Sequence, residues 1–125
     1  GIAENNRMIL CMECHNGTYT NIKEATIELM KNVNSNHFRM YWQPNQFEDK
    51  EYNLNYAKLI SDFTENIHVF NWKGHERFPL IKAKEIWREY LSIFDKSQTL
   101  LLEFMPDDTL ESLKWEAAAL KEIIK

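Results

Sequence analysis

Three glycines and three prolines are scattered over 125 residues, too few to build a flexible or stiff linker between two bodies. Low-complexity tracts and internal charge runs are absent too, so residues 1–125 read as a single domain. No apolar stretch approaches the roughly 18–20 residues that a membrane-spanning helix needs. Lys and Arg number 15 against 19 Asp and Glu, a net charge of -4. A surface of that sign does not attract phosphate backbones or anionic lipid, which argues against nucleic acid and membrane as partners. What is present in quantity is apolar: 44% hydrophobic and 13% aromatic residues suit a packed globular chain and not a disordered one.

Cysteine is equally sparse. Cys11 and Cys14 form a C-x-x-C, but they lie inside ILCMEC, a strand-like run, and no second pair exists to complete a zinc site. Two unpaired thiols fit a reducing compartment, so a cytoplasmic setting is expected. The chain starts at Gly1, almost directly before its first strand, and a fragment or processed chain is the expectation.

Four β-prone runs stand out: Arg7–Cys14 (RMILCMEC), His37–Gln43 (HFRMYWQ), Asn66–Trp72 (NIHVFNW) and Thr99–Phe104 (TLLLEF). Each precedes a segment of helical period. Asn21 with Glu24 reads as a capping box ahead of a stripe of Ile22, Ala25, Leu29, Met30 and Val33. Leu54, Ala57 and Ile60 make a weaker stripe. Ala83, Ile86, Trp87, Tyr90, Leu91 and Phe94 make a strong one. Asp108 with Glu111 opens the last helix, striped by Leu110, Leu113, Ala117, Leu120 and Ile124. The order is β-α four times over. Strict alternation predicts an α/β fold with a parallel sheet and right-handed crossovers. Apolar residues at both strand parities suggest helices on one face and a core on the other.

A polar side chain stands near the end of each run: Glu13, Gln43, Asn71 and Glu103, roughly 28 to 32 residues apart, one βα module. In parallel α/β folds the carboxyl ends of the strands form the ligand-binding rim. Glu13 and Glu103 should share a strand face with Ile9, Cys11 and Leu101, pointing toward one another. The following loops add His15, Gln46, Lys73 and Arg77.

The order and spacing of MECHNGTYT, MYWQPNQ, NWKG, LLLEF and HERFPL resemble the C-terminal half of the xylose-isomerase-like TIM barrels, the sugar phosphate isomerase/epimerase group. That resemblance implies four consecutive βα units forming half of a TIM (β/α)8 barrel. Four strands cannot close alone, so a missing N-terminal half-barrel or a homodimer would complete it. In the family a Glu, an Asp, a His and a second Glu hold a divalent metal. Glu13 and Glu103 take the two Glu positions, as catalytic acid/base groups or metal ligands. Gln43 stands where Asp is expected, Gln46 and Asn71 where His is expected.

The implied activity is isomerisation or epimerisation of a sugar or sugar phosphate by proton transfer beside a carbonyl. His15, Gln43, Gln46, Asn71, Lys73 and Arg77 would contact substrate. A strand-end set of Glu, Gln, Asn and Glu lacks imidazole, so Mn²⁺ or Mg²⁺ is expected over Zn²⁺. The alternatives are a metal-free site in which carboxamides read hydroxyl groups, and a non-catalytic carbohydrate-binding relative that has lost the metal.

Overall fold

A computed structural model describes residues 1–125. Five helices, α1 (Ile2–Asn5), α2 (Lys23–Val33), α3 (Lys50–Ile60), α4 (Lys84–Leu91) and α5 (Leu110–Ile123), accompany six strands. β1 (Leu10–Glu13), β2 (Phe38–Trp42), β3 (Thr64–Val69) and β6 (Thr99–Leu102) form one sheet. β4 (Trp72–Lys73) and β5 (Glu76–Arg77) form a small antiparallel hairpin after β3. The hairpin and α1 carry too few residues to show periodicity and were not foreseen. No helix is long and apolar enough to cross a membrane.

The main sheet is parallel throughout, in the order β1-β2-β3-β6. Each crossover therefore adds its strand on the same side as the one before. With crossovers of constant hand, this stacks every helix on one face, and α2, α3, α4 and α5 pack against one another in that sequence. Met12, Met40, Trp42, Ile67, Val69, Leu100 and Leu102 meet the helices from the sheet. The opposite parity carries Cys11, Glu13, Tyr41, Asn66, His68, Leu101 and Glu103 and has no covering layer. The expected second apolar core is thus not there: Tyr41 stacks on His68 at 4.6 Å, and Asn66 donates to the Cys11 thiol at 3.4 Å.

Between Met40 and Tyr41 the β2–β3 register shifts by one residue, since Met40 pairs with Thr64 while Tyr41 pairs with Asn66. Glu65 is the extra residue, a bulge in a parallel pair. Cys11 on β1 and Cys14 just past its end, three residues apart, point to opposite faces. Cys14 is buried, its thiol pushed up to about 12 by burial, which leaves it unreactive.

Two helix starts differ from expectation. Asn21 does not cap α2, whose first turn follows Ile22. Its carboxamide instead accepts from Asn45 at 2.9 Å and ties the loop after β1 to the loop after β2. Thr109, not Asp108, caps α5 by accepting from the Ser112 N–H, while Asp108 pairs with Arg77. The α4 stripe packs as foreseen. The α5 stripe does not: Ser112, Glu116, Ala119 and Ile123 are the buried positions, and Leu110, Leu113 and Ile124 are exposed. The physical cause is Glu116, whose carboxylate accepts the buried Leu80 N–H with both oxygens, at 2.9 and 3.2 Å, at the head of the short 3-10 turn Leu80–Ala83. Burial raises its pKa, and the Leu80 N–H opposes the rise. Glu116→Ala should cost about 1–3 kcal/mol because it leaves that N–H without an acceptor. Glu116→Gln keeps an acceptor and should cost less than half as much, as read by urea unfolding of the two variants.

Candidate functional site

Each member of the site is delivered by the end of a parallel strand. Glu13 is the last residue of β1, and its carbonyl is held by the Thr20 hydroxyl at 2.5 Å. Glu103 follows β6 directly, its N–H donating to the Val69 carbonyl at 3.1 Å. The next residue, Phe104, has φ of 53°, a left-handed conformation that costs an aromatic residue energy and turns the chain sharply away after Glu103. Gln43 follows β2 and is buried. These backbone restraints aim the side chains at one centre.

At that centre stands His68. Its Nδ1 lies 2.8 Å from Gln43 Oε1, 3.3 Å from Glu103 Oε2 and 3.6 Å from Glu13 Oε1. Ligand atoms of Glu13, His68 and Glu103 all fall within 4.8 Å of one another. The side chains of His68 and Glu103 are only 18% and 23% exposed, enough desolvation to perturb both. Burial, and secondarily the Glu13 charge, pushes Glu103 up to about 7, with His15 opposing the rise. Burial likewise holds His68 below the ordinary imidazole range, against the pull of Glu13. His68 is therefore neutral at pH 7. With its proton on Nδ1 it donates to Gln43. With its proton on Nε2 it presents an Nδ1 lone pair to the space between the glutamates.

The donor set suits a divalent cation. Oxygen and nitrogen ligands about 2.0–2.2 Å from an ion sit roughly 3–3.5 Å apart, close to the Nδ1–carboxylate separations here. Glu103 Oε2 is buried without any hydrogen-bond partner, a state that a cation or a bound proton would relieve. The imidazole also removes the reason for disfavouring zinc. The expected set of Glu, Gln, Asn and Glu is in fact Glu, Gln, His and Glu.

The remaining expected residues are dispersed. Asn71 donates to the Pro79 carbonyl at 2.9 Å and lines, with Gln46 and Lys73, a separate cavity between α3 and α4. His15 is exposed, with Nδ1 against the Asn16 carbonyl in its own loop. Arg77 lies 5.0 Å from the ring centres of both Trp72 and Phe104 and pairs with Asp108 at 3.1 Å, so its guanidinium is already engaged outside the cluster. His68 was missed because an even module spacing points to Asn71. The alternation of Ile67 and Val69, both core residues, was the signal that sets His68 on the opposite face with Asn66.

Neither a protein-family model nor a curated protein sequence matches the chain.

Proposed function

We propose that the chain is half of a (β/α)8 barrel of the xylose-isomerase-like kind, and that Glu13, His68 and Glu103 promote proton transfer beside the carbonyl of a sugar or sugar phosphate. The carrying observation is the convergence of two glutamates and a neutral imidazole from three different strand ends. The unreversed strand order and single helical layer favour the barrel, since an open doubly wound sheet reverses order and covers both faces. Free edges on β1 and β6 agree with it, as does the exposed Leu10 on β1.

In this reading Glu103, which without a cation is poised near neutrality, takes a proton from the carbon next to the carbonyl and can return it, the property wanted of a general base that is regenerated. Glu13 faces it across the centre as the second proton carrier or as a ligand. With no cation bound, Gln43 Oε1 accepts from His68 Nδ1–H and holds the ring; a cation on Nδ1 would take the place of that bond. A divalent cation would polarise the carbonyl oxygen; the carboxylates suit Mn²⁺, and the imidazole admits Zn²⁺ as well. Glu13, His68 and Glu103 would hold it. Mixing aldoses and ketoses with the complete protein and Mn²⁺ tests the reading. Glu13→Gln and Glu103→Gln should each lower kcat about 10²–10⁴-fold, and unchanged turnover in both would refute it. Gln43, a carboxamide where an acid is expected, favours a second reading: a carbohydrate-binding protein without turnover. Sugar binding that persists in chelator, with no product formed, would select it.

A further inference from the structure

The cavity between α3 and α4 has its own chemistry. Its volume is about 490 Å³, within the range of about 300–1,000 Å³ common for small-molecule sites. It opens at the strand-end side of the molecule but behind the sheet, among the helices, whereas the Glu13–His68–Glu103 cluster sits on the uncovered face. Three lysines line it, Lys50, Lys73 and Lys82, against one acid, Glu48. Lys50 is committed to Glu89 at 3.0 Å. Lys73 and Lys82 have no carboxylate partner, although the chain carries a net charge of -4.

The walls are built. Asn53 accepts the Asn45 N–H at 2.7 Å and donates to the Asn45 and Asp49 carbonyls. Gln46 accepts the Gly74 N–H through its carbonyl at 2.9 Å, joining the β2–α3 loop to the hairpin turn. Its side-chain amide makes no hydrogen bond within the protein. Half-buried Trp72 and Phe78 supply aromatic surface, over a floor of buried Phe70 and Trp87. The unpaired charges around the cavity are thus two ammonium groups, Lys73 and Lys82, against the single Glu48 carboxylate, with the Gln46 carboxamide beside them, an excess of positive charge that calls for an acceptor-rich anion. The aromatic surface calls for a flat apolar body attached to it. A site walled by prior hydrogen bonds spends little on ordering when it binds.

We propose that this cavity is a second binding site, for an organic phosphate carried on a planar ring system, with Lys73 and Lys82 holding the phosphate. It is independent of the carboxylate cluster. AMP is a suitable probe because adenosine and inorganic phosphate separate its two halves, and Trp72 and Trp87 report occupancy by fluorescence. AMP should bind saturably at one site per chain, with Kd of roughly 10 µM to 1 mM. Adenosine and phosphate alone should each bind at least about tenfold more weakly. The double variant Lys73→Ala/Lys82→Ala should lose about tenfold or more for AMP, and both residues are exposed, so folding is expected to be kept; circular dichroism verifies it. Gln46→Ala, at a third position in the wall, should also weaken AMP. Glu13→Gln should leave AMP affinity unchanged whether or not the sugar reading holds. Absence of saturable AMP binding by the folded protein, equal affinity for adenosine, or undiminished binding by the lysine double variant would each overturn the proposal.

Discussion

Glu103→Gln is expected to stabilise the metal-free protein at pH 8 by roughly 1–3 kcal/mol while removing most of a pH dependence that the native protein shows between about pH 4.5 and 7. The folded-state pKa of Glu103 is raised to about 7, chiefly by burial and then by the Glu13 charge. An unfolded glutamate titrates near 4.5. Within that interval the folded state binds more protons than the unfolded state, so stability falls as pH rises. The favourable contribution is fully present below the unfolded pKa and gone above the folded one. Glutamine has the shape of the protonated acid and no charge to desolvate, so its curve should be flat there. Chemical unfolding of both proteins at half-unit pH steps, in the presence of chelator, measures this. A native curve as flat as that of Glu103→Gln would show that Glu103 is solvated in solution. On the proposed reading the same variant also loses turnover, so stability and activity would move in opposite directions, as is common where a site keeps a charge in an unfavourable place.

Trp87→Ala should be the most destabilising single change considered, at about 3–5 kcal/mol. Trp87 is 1% exposed. It meets Trp42 edge-on at 6.2 Å and Tyr90 at 5.5 Å, and its indole N–H donates to the Phe70 carbonyl at 2.8 Å. Truncation leaves a cavity in the middle of the helix–sheet core and orphans a carbonyl. Against a typical total of about 5–15 kcal/mol, that approaches global unfolding. Trp87→Phe keeps most of the volume and loses the hydrogen bond, so about 1–2 kcal/mol is expected. Urea midpoints of the pair separate packing from hydrogen bonding. Because Phe70 follows His68 by two residues, the Phe variant should also loosen the site; a broadened or shifted imidazole resonance of His68 would report it.

Much of the fold was legible in the chain. Three of the four main-sheet strands lie within the apolar runs and β3 begins two residues ahead of its run, at Thr64, because a short β-rich run between helical stripes has few other options. The α4 stripe was correct because its apolar residues are large and closely spaced, leaving one face to bury. In α5 the same reasoning failed. Its apolar residues are many and spread, and a single hydrogen-bonding demand, Glu116 on the Leu80 N–H, was enough to choose the other face. Likewise Asn21 has two uses of similar worth, a helix cap or a bond to Asn45, and only the position of the neighbouring loop selects one.

The site divides in the same way. Residue order alone determined that Glu13 and Glu103 end parallel strands on a common face, since side-chain alternation and the βα repeat are properties of the local chain. Which imidazole joins them was settled by pairing between strands. Without the one-residue shift at Met40–Tyr41, Gln43 would lie level with Ile67; with it, Gln43 lies level with His68. Register is a long-range property, fixed by backbone hydrogen bonds between segments distant in sequence, and that is why His68 entered the site only with the tertiary structure.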